Sequence, residues 1–289
     1  MFERDMGRVG PTVGSVLVTG AGGTIGTAFV RELLAISPLA RVTALDYDES
    51  RLTMMVRIVR DAYPHAWLDV IPSDVRHMQQ SEYDYVAHFA AMKHVRTEGS
   101  VAGIARMCDE NIAGLAAVLD RVEADRVFLM STDKAADPTT VMGMTKAICE
   151  RMLATSGRDC TAARMGNVAG SNGSLLEWAA KSTTRVHVPR GIRRWLFTPQ
   201  DAARLALLAV FAADPRTILV PASNPNHQRL LTDVAREAAH RAVVVEVDPD
   251  PADKILEVLS GRDETVDYTG WHSVGVLPLP HTSEVDRYA

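Results

Sequence analysis

Ser15-Val16-Leu17-Val18-Thr19 runs directly into Gly20-Ala21-Gly22-Gly23-Thr24-Ile25-Gly26, and this stretch decides the fold. The first five residues read as a short buried strand, and a helical pattern follows the glycines to about Ile36. The same alternation continues outward. Arg41–Asp46 reads as a second strand, Glu49 to about Ala62 as a helix, Trp67–Ile71 as a third strand and Tyr85–Phe89 as a fourth. One long helical segment covers roughly Val101 to Val122, with Asn111 near its middle. Arg126–Met130 is a fifth strand, Thr139 to Ser156 a helix, and Thr161–Arg164 a sixth strand. Strands that alternate with helices in this way build a parallel sheet covered on both faces.

The turn after the first strand carries a ligand prediction. Glycines at Gly20, Gly23 and Gly26 let the chain turn tightly and bring backbone N–H groups up to a pyrophosphate at a helix N-terminus. Asp46 ends the second strand twenty residues after Gly26, where a carboxylate accepts from ribose hydroxyls and repels a 2′-phosphate. That favours NAD over NADP, although Arg51 stands near enough to accommodate such a phosphate. The expected fold is therefore α/β, a Rossmann-type doubly wound parallel sheet, with a smaller C-terminal α/β lobe. Gly20, Gly22, Gly23, Thr24, Ile25, Gly26 and Asp46 are its expected cofactor contacts. Asp74 and Val75 sit in an acid-containing turn placed to meet the adenine edge, and Ala90 and Ala91 are small residues at the end of the fourth strand, where the chain can pass close to a cofactor. His88 lies inside that strand and reads as a satisfied core histidine. Lys93 and His94 fall at the crevice as candidate substrate contacts.

Met130-Ser131-Thr132-Asp133-Lys134 follows the fifth strand, with Met142 and Lys146 sharing one face of the next helix. Side chains past the end of such a strand face the crevice that binds ligands. Beyond Arg164, the segment Met165–Ser174 is rich in glycine and serine and can supply amide donors to phosphate oxygens. Thr184–Val188, Thr217–Pro221 and Val243–Val247 then read as strands. Pro199–Ala212, Leu230–Arg241 and a short Asp253–Leu259 read as helices. The expected organisation is a loose arm at 1–14, an NAD-binding domain at 15–165 and a sugar-nucleotide lobe at 166–289, partly interleaved with the first.

Composition narrows the classes. The chain has 289 residues, 47% of them hydrophobic, enough for a sizeable core. A formal net charge of −5 with both signs dispersed gives no nucleic-acid footprint. No apolar run reaches membrane-spanning length, and Met1-Phe2-Glu3-Arg4-Asp5 is no signal peptide. Three cysteines, Cys108, Cys149 and Cys160, have no metal-ligand spacing and are odd in number, so reduced thiols in a cytoplasmic protein and no metal are expected.

The motifs Thr19–Gly26, Asp74–Arg76, His88–Val95, Ser131–Ala135, Pro138–Lys146 and Arg164–Ser174 resemble, in order, those of the extended short-chain dehydrogenases. More narrowly they resemble the CapD-type polysaccharide-biosynthesis branch, whose characterised members are UDP-N-acetylglucosamine 4,6-dehydratases. Arg194-Trp195-Leu196-Phe197-Thr198 and Asp253–Glu257 are similar to two further segments of that branch. The resemblance accounts for Met142, which stands where ordinary members carry a tyrosine. It implies a soluble catalytic domain that uses NAD on a UDP-sugar and assembles as a homo-oligomer through the helices around 101–122 and 139–156.

It also implies the roles. Asp133 is the acid for the 6-hydroxyl, Lys134 the base at C5, and Ser131 or Thr132 the holder of the 4-hydroxyl. Lys146 and Asn111 belong with the cofactor, and Lys93, His94, Asn167, Ser174, Arg194 and Thr198 with the substrate. Two departures stand out: Asp250 occupies a position where the branch carries arginine, which leaves a shifted alignment, Arg193 or Arg262 as a substitute, or a different substrate, and the segment between Ser174 and Arg194 is shortened. A C4 or C5 epimerase and a catalytically silent NAD-binding sensor are the competing readings.

Overall fold

A computed structural model describes residues 1–10, 14–93, 98–171, 173–222, 228–249, 254, 256–267, 269 and 274–280. Its main element is an eight-stranded sheet. β1 (Ser15–Thr19), β2 (Arg41–Asp46) and β3 (Trp67–Pro72) form one wing, and β4 (Ser81–His88), β5 (Val122–Thr132) and β6 (Cys160–Met165) continue on the other side. β11 (Thr217–Pro221) and β14 (Val274–Pro278) complete it, in the order β14-β11-β6-β5-β4-β1-β2-β3. All pairings are parallel except β11 with β14. The order reverses between β1 and β4, and the crevice at such a switch point is where open α/β sheets take ligands. The strands at the centre are apolar and buried on both faces, as helix-covered parallel strands must be.

The helices divide over the two faces. α1 (Thr24–Ile36) packs on α7 (Pro199–Phe211), which is buried along most of its length. α2 (Glu49–Ala62) lies against β2 and β3. The long segment expected at 101–122 is interrupted: α3 (Val101–Cys108) and α4 (Gly114–Arg121) are joined by one π-helical turn, Asp109–Ala113. α5 (Val141–Thr155) packs on α3, on that turn and on β5.

A small second core holds Ala179, Val186, Val188 and Ala235. It lies among α6 (Leu175–Lys181), α8 (Leu231–Ala238) and the parallel pair β8 (Arg185–Pro189) and β13 (Val243–Val247). Three short strands, β7 (Asn167–Val168), β9 (Arg193–Arg194) and β10 (Leu196–Phe197), connect it to the large sheet, with β12 (Arg229–Leu230) pairing β9.

Two expectations fail here. The arm at 1–14 is not loose in its described part: Asp5–Arg8 form a 3₁₀ turn, Phe2 is fully buried in the main core, and the Met1 amine donates to Asp201 at 2.9 Å. Burying one phenyl ring stabilises by about 1.5–3 kcal/mol, which a polar-looking segment conceals in its second residue. The helix expected at 253–259 is absent among its described residues, Lys254 and Leu256–Leu259. Asp250 and Asp253 lie outside the described residues.

Candidate active site

The glycine turn is built by backbone packing. Gly20 has φ +68°, and a Cβ there would sit 2.6 Å from the Ala90 nitrogen. A Cβ on Gly26 would lie 2.3 Å from the Gly20 carbonyl, and one on Gly22 2.8 Å from the Leu52 nitrogen. Only glycine permits these approaches. Asp46 sits under the turn, its Oδ2 accepting from the Gly22 N–H at 3.0 Å and its Oδ1 from the Asp48 N–H at 3.0 Å. Burial pushes its carboxyl above the usual range.

Above this floor opens a cleft of ≈ 360 Å³ lined by Gly20, Gly23, Thr24, Ile25, Gly26, Asp46, Asp74, Val75, Ala90, Ala91 and Lys93. Leu45, Tyr47, Arg51, Ser73, Phe89, Met92, Arg106, Glu110 and Met130 also line it, and of these nine the sequence reading had connected only Arg51 with a cofactor, as a seat for a 2′-phosphate. Asp74 is held by Arg76 through Nε at 2.9 Å and its backbone N–H at 2.8 Å, which keeps its carboxyl down at about 2. A close-packed glycine turn, a buried strand-end carboxylate and a narrow cleft between them suit a dinucleotide.

Three expected cofactor residues do not line the cleft. Gly22 is enclosed against α2. Asn111 sits in the π-helical turn with its Oδ1 accepting from the Met92 N–H at 2.7 Å, while its Nδ2 donates to the Met92 carbonyl and to Thr145. It shapes the loop beside the cleft. Lys146 is buried and donates to the Met130 carbonyl at 2.9 Å; burial pushes its amine below the usual range.

Past Met130, β5 delivers the charged turn. Asp133 is 1% exposed, and Lys134 Nζ lies 3.1 Å from its Oδ1. The Thr132 hydroxyl donates to the same oxygen at 2.9 Å. A third group joins them: Glu257 Oε1 is 3.4 Å from Lys134 Nζ and 3.5 Å from an Arg194 nitrogen. Burial pushes the Lys134 amine down, but Asp133 and Glu257 outweigh it and hold the amine above its usual range. Burial raises Glu257, Asp133 adds to that, and Lys134 and Arg194 only partly offset it.

Glycines again set the spacing. A Cβ on Gly143 would lie 2.5 Å from the Lys134 carbonyl, one on Gly261 2.8 Å from the Ala136 carbonyl, and one on Gly166 3.4 Å from Asp133 Oδ2. Met142 is buried beside this turn, and Glu98 accepts from its N–H at 2.8 Å and from that of Val141 at 3.0 Å.

Several expected substrate contacts are engaged elsewhere. Ser131 donates to Glu150 Oε1 at 2.5 Å on the face opposite Thr132, because successive strand residues face opposite sides. Glu150 in turn pairs with Arg164, 2% exposed, which also holds Glu264. Ser174 caps α6 by accepting from the Glu177 N–H, and Thr198 forms a capping box with Asp201 at the start of α7. Arg194 donates to the carbonyls of Arg193 and Lys254 at 2.7 and 2.8 Å and pairs with Glu257, so its guanidinium serves the protein. Asn167 lies in β7, its N–H donating to the Trp195 carbonyl. Lys93 remains at the cleft, and His94 lies outside the described residues. His88 is half satisfied: its Nδ1 bonds Thr19 Oγ1 at 2.7 Å, its Nε2 has no partner, and burial drives its pKa down to about 3.

Glu150 and Glu98 were not singled out from sequence, and Glu257 and Arg164 entered only as end residues of segments that resemble the family, with no role assigned. Period-two alternation from Met130 would have favoured Thr132 over Ser131; nothing local marks Glu257. Among the described residues, no group of His, Cys, Asp and Glu could hold a metal ion, and no helix is long and apolar enough to cross a membrane.

A family model described as polysaccharide biosynthesis protein matches residues 16–269. The probable polysaccharide biosynthesis protein EpsC of Bacillus subtilis is 28% identical, over 92% of this chain and 47% of its own length. The inverting UDP-N-acetylglucosamine 4,6-dehydratase of Campylobacter jejuni is 27% identical over 58% of this chain and 53% of its own. The UDP-glucose 4-epimerase of Rickettsia typhi is 29% identical over 56% and 51%. The chain thus spans about half the length of these curated relatives. Among solved structures, Pen from Bacillus thuringiensis superposes with a TM-score of 0.78 at 23% identity, covering 93% of this chain and 88% of that one. The dTDP-glucose 4,6-dehydratase of Bacillus anthracis, in complex with NAD, gives 0.64 at 12% identity, covering 81% and 84%. With the match running through nearly every described element of the sheet and the site, the chain belongs to the polysaccharide biosynthesis protein family of extended short-chain dehydrogenases.

Proposed function

We propose that this chain is a nucleotide-sugar 4,6-dehydratase that holds NAD in the cleft and acts on UDP-N-acetylglucosamine or a related UDP-hexose. The observation that carries the reading is the contact between Asp133 and Lys134, 3.1 Å apart in the turn that follows the strand whose Met130 lines the cleft. The glycine turn would take the pyrophosphate, Asp46 the adenosine ribose and Asp74 the adenine edge. Bound there, NAD would supply the temporary oxidation of the hexose that the reaction needs.

Everything else falls to side chains. Once C4 is a ketone the C5 proton is acidic. Lys134 takes that proton as the free amine, and Asp133 protonates the departing 6-hydroxyl as the carboxylic acid. Thr132, hydrogen-bonded to Asp133, is placed to hold the 4-hydroxyl, the role Ser131 is turned away from. Met142 carries no exchangeable proton, so the 4-hydroxyl proton leaves through Asp133, a lysine or water. Lys146, with two donors left beyond its bond to Met130, steadies the nicotinamide ribose and adds positive potential beside it. The epimerase in the chain's kinship is the competing reading; it moves no water.

Incubation with UDP-N-acetylglucosamine, read by mass spectrometry and NMR, decides between them. Loss of one water supports the proposal, and an unchanged mass with altered stereochemistry assigns an epimerase. No change with any UDP-hexose leaves a silent sensor. Asp133→Asn and Lys134→Ala should each lower turnover by roughly 10²–10⁴-fold, the usual worth of a placed acid or base. Met142→Ala should retain substantial activity. Exposed Val101 on α3 and Met144 and Ile148 on α5 support a homo-oligomer formed through those helices.

A further inference from the structure

Lys134 is shared by two carboxylates, and only one of them lies in the strand-end motif. Asp133 and Glu257 are 1% and 4% exposed, each with one oxygen near the amine. The other oxygen of each, Asp133 Oδ2 and Glu257 Oε2, is buried without a hydrogen-bond partner. Two ionised carboxylates around one amine, each with a bare buried oxygen, form an expensive arrangement, and protonating one relieves it. The charged groups facing Glu257 are Lys134 and Asp133 from the turn after β5, Arg194 from β9, and Lys254 from its own segment. Arg194 is anchored on two carbonyls and Lys254 on Asp137, so both cations are fixed from outside the pair. Lys134 is the member whose proton has somewhere to go.

The dehydratase chemistry needs Asp133 as an acid beside Lys134 as a free amine, which is the ion pair with one proton moved. We propose that Glu257 is the positioning residue that controls this proton: ionised, it pins Lys134 as an ammonium; protonated, it lets the proton pass to Asp133. In that step one N–H bond breaks on Lys134 and one O–H bond forms on Asp133, with no other group changed. The controlling effect is electrostatic. A neutral Glu257 removes one of the two negative charges that favour the ammonium, so the amine holds its proton less tightly. The direction agrees with burial pushing the Glu257 carboxyl above its usual range. The inference rests on the dehydratase reading for its purpose but not for its chemistry.

The test therefore has two readouts. The first is chemical labelling of Lys134 in the full chain by an amine-acetylating reagent across a pH series, quantified by mass spectrometry. In Glu257→Gln the labelling midpoint should fall by about one pH unit, roughly tenfold in reactivity below the midpoint. In Glu257→Asp, whose shorter side chain withdraws the charge, it should fall by less. The second is the pH profile of water loss. Wild type should lose turnover on the alkaline side as Glu257 ionises, Glu257→Gln should keep turnover to higher pH, and Glu257→Asp should restore an alkaline fall. An unmoved Lys134 midpoint in Glu257→Gln overturns the inference, even if wild type loses water as proposed. A shifted midpoint in a protein that never loses water upholds the control of Lys134 by Glu257 and sinks the dehydratase reading instead. If Glu257→Gln does not fold, an unmoved midpoint in Glu257→Asp overturns it equally.

Discussion

The glycine turn after β1 and the charged turn after β5 are built on opposite plans. At the glycine end, β1 runs into a turn whose shape comes from backbone against backbone: Gly20 against Ala90, Gly26 against the Gly20 carbonyl. At the Asp133–Lys134 end, β5 runs into a turn held by charges that arrive from far along the chain. Glu257 reaches Lys134, Lys254 reaches Asp137 from 117 residues away, and Glu264 reaches Arg164. The first plan is set mainly by backbone packing, with one carboxylate, Asp46, accepting from the Gly22 N–H. The second is assembled only when the C-terminal segment is in place, and depends on which groups carry protons.

The largest stability effect should come from the charge-built end. Arg164 is buried between Glu150 and Glu264, and its removal leaves Glu150 charged in the core. Arg164→Ala should cost about 3–5 kcal/mol in denaturant unfolding, and should release the 257–264 segment to proteolysis. An effect below about 1 kcal/mol would mean that the cluster follows the fold instead of holding it. Against it stands Gly20→Ala, which forces a φ of +68° and a 2.6 Å contact with the Ala90 nitrogen. About 2 kcal/mol is expected, together with weakened NAD binding by calorimetry and no change in the Lys134 labelling midpoint. If that midpoint moved, the two ends would not be independent.

How much of this was legible in the sequence follows the same division. Ser15–Gly26 carries its whole meaning within twelve residues, because strand, turn and helix are successive and the glycines are there for local reasons. Asp133 and Lys134 were legible as neighbours at a strand end. Glu257 was legible only as the end of a segment resembling the family, and not as a partner of Lys134, because nothing near Lys134 in the chain announces a second carboxylate. The π-helical turn at Asn111 was hidden for a similar reason: that side chain is committed to Met92 and Thr145, contacts made only in the folded state. Thr198 and Ser174 were read as substrate contacts on resemblance, although Thr198-x-x-Asp201 and Ser174-x-x-Glu177 before apolar runs are capping signatures.

His88 tests how far the glycine end responds to pH. It lies under the switch point, bonded to Thr19, and burial keeps it neutral with a pKa of about 3 against 6.5 when unfolded. Between those values the unfolded chain binds more protons than the folded one, so this group removes stability as pH falls from 6.5 toward 3. The slope contributed by one such group is at most about 1.4 kcal/mol per pH unit. Unfolding of His88→Asn, followed from pH 7 to 4, should show an acid slope shallower by up to that amount. Equal slopes would place the acid sensitivity wholly in the carboxylate clusters of the other end.

The smallest effect separates a helix cap from a substrate contact. The Thr198 side chain accepts from the Asp201 N–H at 3.0 Å and donates to its Oδ2 at 2.7 Å, while the Met1 amine holds Asp201 from the other side. Thr198→Ala removes a capping box worth about 1 kcal/mol and touches neither the glycine turn nor the Lys134 cluster. Melting should register that loss, with the KM for the UDP-sugar unmoved. Thr198→Ser, which keeps both hydrogen bonds to Asp201, should restore stability. A KM that rises in both variants would return Thr198 to the substrate and show that the charge-built end extends as far as α7.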